Sequence, residues 1–549
     1  MYVVHEGDLI YKEIYGAANK QRLYVKPPDQ VNVVVHEEEK NLKVANFIAR
    51  VFLPQGYPNS VSRDYTNYQI WDTAQAFCST ITGILATQEV LRGVGVGDKT
   101  ATPLAATVTW VIKDGCGHLG KIYFAYSKGT HLDAYSKKWR LYADTLNDAA
   151  MCIEIALPAF KSYTTFILCI STVMKAIVGV AGGATRAAMT QHHAIRSNLA
   201  DVSAKDAAQE TAVNLIASMA ALLIITVFGS SLIIFTIMMI FHIIFNYMAV
   251  RSVCLRTLNV PRFLQIIETY LREEAIAKPC LVNRDEPVIT WNIRRNSLDR
   301  NLCGFRIKIG DSMKTLVKKN PKAVYLNKVK EVYSANEYII FPCLTTRTIY
   351  IFLRHTATSD DILCAYFHSI LFGVVICAIN KYNLPIYKSP EVVTKPFARV
   401  CEIFQKAEWS RELRDNVCEC PTTRFKYNPS ADVMEFFNRI VEKEWIKIKP
   451  GLEQVGWDLK KNLLIVDEWR ITNAKVILKQ SSRQQDNSVS FTTRNFPSFN
   501  LKEFCQSRTT VDEEEIKTYT IDPDSKISNE SSFIGNEERR PSTTMPWWQ

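Results

Sequence analysis

"TAVNLIASMAALLIITVFGSSLIIFTIMMIFHIIFNYMAV", Thr211–Val250, runs for forty residues without one Asp, Glu, Lys or Arg. As a single straight helix it would extend about 60 Å, roughly twice the ~30 Å hydrocarbon core of a bilayer. Gly229-Ser230-Ser231 stands near its middle, and such a triplet favours a turn. The stretch therefore predicts a helical hairpin with membrane-spanning segments at 211–228 and 232–250. Inside it only Asn214, His242 and Asn246 are strongly polar, whereas a core helix of a soluble protein normally keeps a polar stripe. Arg186, Arg196 and Lys205 precede the run, and Arg251, Arg256 and Arg262 follow it. A hairpin places both basic flanks on one side, which the positive-inside rule makes cytoplasmic.

Two more apolar segments flank this centre. "TTFILCISTVMKAIVGVAGG", residues 164–183, is charge-free apart from Lys175 and reads as a third span. A buried ammonium there requires an anionic partner or a water-filled cavity. Gly179 and Gly183 stand in the G-x-x-x-G spacing that lets two helices approach closely. "DILCAYFHSILFGVVICAIN", Asp361–Asn380, starts with acids and ends just before Lys381. It reads as a buried core helix and is not counted as a span.

Composition narrows the function classes. The 549 residues carry a net charge of +11, of which residues 481–549, with 8 basic and 11 acidic side chains, contribute −3. The basic body suits an anionic membrane surface. No zinc-finger, RNP or homeodomain pattern accompanies its scattered Lys and Arg residues, so nucleic acid is not an expected partner. Fourteen cysteines at irregular spacing read as reduced, packed thiols. Cys418 and Cys420 lack a second pair or a nearby histidine, so no metal site is expected. Residues 1–20 have the character of neither a signal nor a transit peptide.

Two glycine-rich stretches imitate nucleotide loops. In "TVTWVIKDGCGHLGKIYFAY", Thr107–Tyr126, a strand-like Thr107–Ile112 precedes Gly115, Gly117 and Gly120 at the spacing G-x-G-x-x-G. A dinucleotide site also needs a helix after the glycines and then a second strand ending in an acid. Gly129 interrupts instead, and Asp133–Asp148 reads as a helix with Arg140, Asp144 and Asp148 on one face. In "GVGVGDKT", Gly93–Thr100, Asp98 breaks the P-loop spacing. No cofactor is indicated by any motif.

Beyond residue 285 the pattern changes. "EYIIFPCL" and "RTIYIFLRH" predict adjacent strands, Ser359–Ile379 a helix, and "KNLLIVDEWRI" another strand. The expected architecture is a mostly α, membrane-associated helical domain over 41–275, after an N-terminal extension at 1–40. An α+β domain at 285–475 and a disordered tail at 480–549 complete it.

Five blocks carry a family resemblance: "FLPQGYPNSVSRDYTNYQIWD" (52–72), "ATQEVLRGVGVGD" (86–98), "ATPLAATVTWVIKDGCGHLGKI" (101–122), "KKWRLYADTLNDAA" (137–150) and "KAIVGVAGGATRAAMTQHHAIRSNLADVSAKDAAQETAVNLI" (175–216). Together they resemble the root UVB sensitive family, with a looser similarity to its C-terminal domain as far as about residue 475. "KDGCGHLGK" looks like that family's "KDG-x-G-x-x-G" block, so its glycines need no dinucleotide. The resemblance implies a membrane-associated protein of unsettled molecular activity, in a family linked in plants to root responses to UV-B, vitamin B6 homoeostasis and auxin transport; the apolar segments and the N-terminus add the expectation of a multi-pass protein of an intracellular membrane. It brings no catalytic residues, and a plastid location is not expected here, because the N-terminus is not transit-like.

Polar residues in or beside the apolar helices form the candidate network: Lys113, Asp114, Arg140, Asp144, Asp148, Lys175, Arg186, Lys205, Asp206 and Glu210. Asp114 is expected to pair with Lys113 or with Arg140. Three functions fit. The first is a non-enzymatic membrane-anchored interaction or scaffold protein, with the membrane and a paralogue or second copy as partners. The second is a small-molecule carrier, which needs more spans than three. The third is an enzyme acting on a B6 vitamer, for which no H-E-x-x-H, G-x-S-x-G or P-loop is present.

Overall fold

The computed structural model describes residues 8–15, 20–27, 32–39, 43–94, 103–229, 231–288, 298–318, 323–380, 382 and 428–472. The tail after residue 472, Cys418, Cys420 and most of the Gly93–Thr100 loop lie outside these residues. Within the N-terminal extension, β1 (Asp8–Tyr15), β2 (Lys20–Lys26) and β3 (Val34–Glu39) form an antiparallel sheet in the order β1-β2-β3, which the sequence reading did not anticipate.

A short helix α1 (Lys43–Phe52) leads into six long ones: α2 (Tyr65–Gly93), α3 (Pro103–Ala134), α4 (Ser136–Ile155), α5 (Thr164–His193), α6 (Leu199–Phe228) and α7 (Leu232–Ser252). They alternate in direction. Thr164 at the start of α5 hydrogen-bonds the carbonyl of Gly93 at the end of α2. At the opposite end Ser62, just before α2, bonds His193, the last residue of α5. The turn between α6 and α7 falls where the sequence places it. Gly229 adopts φ +66°, in a region that side-chain-bearing residues avoid, and the Ser231 hydroxyl accepts the Ile234 N–H to cap α7.

Helices α5, α6 and α7 are long and apolar enough to cross a membrane. Large apolar side chains cover the outside of the hairpin, Leu215, Met219, Leu222, Val227, Ile233 and Ile240 among them. A soluble protein leaves no such continuous apolar surface to water.

The GxGxxG region corrects two expectations. Thr107–Ile112 is helical rather than a strand, and α3 continues through Gly129, because tertiary packing overrides the modest helix preference of β-branched residues. A Cβ on Gly117 would lie 2.9 Å from Thr172 Cγ2, and one on Gly120 3.1 Å from Val173 Cγ1. The absent side chains thus let α3 lie close on α5. The G-x-x-x-G pair expected to do this does not, since nothing among the described residues comes within 4 Å of a Cβ on Gly179 or Gly183.

Below the basic end of the hairpin, β4 (Thr257–Leu258) is followed by α8 (Val260–Glu273), α9 (Pro279–Asp285), α10 (Leu298–Cys303), β5 (Arg306–Ile309), α11 (Met313–Val317) and α12 (Ala323–Val332). Then come β6 (Tyr338–Cys343), β7 (Thr348–Arg354), α13 (Ser359–Ile379), α14 (Ala431–Val455), β8 (Asp458–Asn462) and β9 (Arg470–Ile471). The two strands predicted at 337–355 pair antiparallel, and β7 also takes β5 and β9 as parallel neighbours. Helix α13 could cross a membrane by length and apolarity, but 83% of its apolar window is buried inside the protein. It packs on β5, β6 and β7, as a core helix does. "KNLLIVDEWRI" is not one strand: β8 and β9 pair with β4 and β7, joined by a segment in which Val466 makes an isolated parallel bridge to Ile309.

Candidate functional site

The charged stripe of α4 faces the interior of the bundle and meets polar residues from α2 and α7. The Arg140 guanidinium donates to Asp72 at 2.9 Å, and its Nε lies 3.5 Å from Asp144. Asp144 accepts the Asn246 amide at 2.6 Å. One turn further up, Asp148 accepts from His242 Nδ1 at 2.8 Å, and Gln75 contacts His242 Nε2 at 2.8 Å. Asp148 accepts, so Nδ1 carries the proton, and the Gln75 amide donates to the Nε2 lone pair. Asp72 and Gln75 stand three residues apart on α2, His242 and Asn246 four apart on α7, so each pair shares a helical face. His242 is fully buried and is the middle residue of α7, about 15 Å from either end.

This file is open at one end. Towards the basic flanks, Gln69 of α2 donates to Asp206 at 2.9 Å, and Arg186 joins Asp206 at 2.7 Å and also Glu210. Arg186 and Glu210 are a third to two-fifths exposed. Above Gln75, past a Thr80–Asn214 hydrogen bond, Ile81, Leu85, Ala86, Met151, Ala217, Ala221 and Phe235 form one buried apolar cluster across four helices. Two buried atoms within the file, Arg140 Nε and Asn246 Oδ1, have no hydrogen-bond partner. Unsatisfied buried polar atoms are costly, which marks the place where a polar guest or water would be stabilised.

The other predicted residues are placed apart. Lys175 finds its anion in Glu154 at 2.6 Å, which also accepts the Ser171 hydroxyl. Lys205 Nζ donates to the Arg50 carbonyl and ties α1 to α6. Lys113 pairs with Asp114 at 3.3 Å and lies over the Trp110 ring, with Asp114 half exposed. Arg140 does not reach Asp114; its acids are Asp72 and Asp144, so that expected pairing is corrected. Sequence reasoning missed Asp72, Gln75 and Glu154 as site residues. His242 and Asn246 stood out as polar, and their spacing of four was the available signal.

At the open end Asp64, His192 and His193 could hold a metal ion, which sequence spacing did not suggest. Here Asp64 and His192 satisfy each other, while His193 Nε2 is buried without a hydrogen-bond partner. Asp64 accepts His192 Nε2 at 2.9 Å and the Cys254 N–H at 2.6 Å, while His193 Nδ1 meets Ser62 at 2.6 Å. Burial would raise the Asp64 carboxyl, but the hydrogen bond and charge of His192 hold it well below the usual carboxylate range.

A cleft of about 760 Å³ opens where the lower ends of α3 and α4 meet α8, α10 and β5, and Lys137, Lys138, Arg306 and Lys308 are among its lining residues. Beside it lies a buried cluster. Glu286 accepts Arg262 Nε at 3.1 Å and Asn259 at 2.9 Å, and Lys137 Nζ stands 3.6 Å away.

Comparison with known proteins follows the same division. Two family models match: a vitamin B6 photo-protection and homoeostasis domain over residues 38–274 and a root UVB sensitive protein C-terminal domain over residues 275–473. The chain is 43% identical over 297 residues to "RUS family member 1" of Dictyostelium discoideum, covering 53% of this chain and 54% of that protein. It is 30% identical over 371 residues to "Protein root UVB sensitive 3" of Arabidopsis thaliana, covering 66% of this chain and 83% of that one. "Protein root UVB sensitive 6" of the same plant is 28% identical over 329 residues, covering 60% and 63%. No solved structure matches.

Proposed function

The chain belongs to the root UVB sensitive family and contains its vitamin B6 photo-protection and homoeostasis domain; from that premise we propose that it is a non-enzymatic membrane carrier of a small polar molecule, a B6 vitamer. The observation that supports this reading is the one-ended polar file of Asp72, Arg140, Asp144, Asn246, Asp148, His242 and Gln75 beneath an apolar plug. Charges inside a bilayer are expensive and tend to mark substrate or ion pathways, and carriers bind their cargo near the midplane between helices. A scaffold anchored by α5–α7 would account for the apolar surface but has no use for ionisable groups beside His242. The shortage of spans also eases: α2 and α4, which supply most of the file, run packed alongside α6 and α7 and alongside α5 and α7 respectively. A pyridine nitrogen with hydroxyl neighbours complements carboxylates, an imidazole and an amide.

The test is uptake of radiolabelled pyridoxine and pyridoxal into proteoliposomes containing the purified full-length chain. Saturable uptake above that of protein-free vesicles is expected. Uptake indistinguishable from empty vesicles for every B6 vitamer would return the bundle to the role of an anchor.

A further inference from the structure

The buried cluster next to the cleft has one carboxylate and two cations. Arg262 is fully buried and makes the shorter contact with Glu286, 3.1 Å against 3.6 Å for Lys137. Asn259 takes the other carboxylate oxygen. The remaining contact of Lys137 Nζ is a long one, 3.4 Å, to the Asn283 carbonyl. With 1% of its side chain exposed, Lys137 therefore sits where a second positive charge is poorly compensated, and loss of its proton relieves the excess. Burial pushes the amine down to about 8 against the partial support of Glu286.

Lys137 also lines the cleft. The lining also offers Lys138 and Arg306, both exposed and in no ion pair among the described residues, and Lys308, which Asp311 holds at 2.7 Å. Tyr135 and Tyr366 are also among the lining residues. Asp299, the most buried acid of the lining, is occupied, accepting the Tyr366 hydroxyl at 2.7 Å and the Ile307 N–H at 3.3 Å. The cleft thus combines a lysine amine with further lining cations, in a volume suited to a small aromatic molecule.

We propose that Lys137 binds a small anionic aromatic aldehyde covalently, as an imine, with the anionic group against Lys138 and Arg306. The amine lone pair attacks the aldehyde carbon, the carbonyl oxygen takes up both amine protons and leaves as water, and a C=N bond joins Nζ to the former aldehyde carbon. No oxidant or reductant is consumed, and water reverses the step. Phosphorylated pyridoxal is the probe of this class that the chain's B6 domain suggests. The cleft is separate from the polar file, so this inference does not rest on the carrier reading.

The experiment uses the purified full-length chain with pyridoxal 5′-phosphate, reduction by borohydride, and peptide mass mapping. An amine titrating near 8 instead of 10.5 holds roughly 200-fold more neutral form near pH 7.5 than an ordinary lysine. Lys137 is therefore expected to be the first lysine modified at limiting probe, with pyridoxine 5′-phosphate, which lacks the aldehyde, protecting it. Lys137→Arg keeps the charge and should abolish the fast adduct, while Lys138→Ala should only weaken it. Modification spread over exposed lysines with Lys137 untouched overturns the proposal, and mapping the unaltered protein decides this even where a variant fails to fold. Saturable uptake without a Lys137 adduct sinks this inference and spares the carrier; an adduct without uptake does the reverse.

Discussion

Removing Arg140 should damage the bundle more than removing either acid it serves. The guanidinium lies 2.9 Å from Asp72 and 3.5 Å from Asp144, and all three side chains are less than a fifth exposed. At an effective dielectric of about 20, each contact is worth roughly 5 kcal/mol of attraction before desolvation is subtracted. Arg140→Met leaves two neighbouring carboxylates without a cation, a change expected to cost about 3–5 kcal/mol. Asp72→Asn leaves Arg140 paired with Asp144 and should cost only about 1–3 kcal/mol. The double variant Asp72→Asn/Arg140→Met should then cost less than the sum of the singles by about 1–3 kcal/mol. Thermal unfolding of the four detergent-purified proteins measures the cycle. Losses that add within about 0.5 kcal/mol would mean the groups are solvated separately, and the idea of a connected file would fail. Lys113→Met and Asp114→Asn serve as the outer control, since a pair this exposed contributes at most about 1 kcal/mol.

Gly117→Ala should push α3 off α5 and destabilise the bundle by about 1–3 kcal/mol, whereas Gly183→Ala, with nothing within 4 Å, should be neutral; equal melting temperatures for the two would refute the packing account. Lys137 titrates near 8 when folded, below its ordinary 10.5, so between those pH values the unfolded chain holds more protons and stability should rise with pH, by up to about 1.4 kcal/mol per unit. That rise is absent below pH 8, and Lys137→Met should remove it; identical pH profiles for the two proteins would contradict the burial argument. Alkaline carbonate should leave the full-length chain in the membrane pellet, because its uncharged forty-residue hairpin is inserted rather than adsorbed. Complete release would remove the hairpin.

The hairpin was legible because charge absence over forty residues and a Gly-Ser-Ser break are local signals, and Gly229 turns the chain where they meet. The stripe Arg140, Asp144, Asp148 was legible for the same reason, since a period of four lies within one helix. Its partners were not. Asp72 and Gln75 come from a helix with little amphipathic character, and only packing brings them to α4 and α7. Gly179 and Gly183 show the opposite error, because G-x-x-x-G spacing indicates a capacity for close approach without naming the neighbour. Thr107–Ile112 looked like a strand because β-branched residues favour both sheets and apolar packing surfaces, and length alone separates the two.

A polar file that serves as a path for cargo must lose transport when its buried end is disarmed. Its most direct test is uptake of labelled B6 vitamers by proteoliposomes carrying Asp148→Asn beside those carrying Asp114→Asn, at matched protein content and matched melting temperature. Asp148→Asn deprives His242 of its charged partner at the buried end of the file and should abolish saturable uptake, while Asp114→Asn, on the outer face of α3, should leave it unchanged. Equal uptake by both would contradict a role for the file in moving cargo.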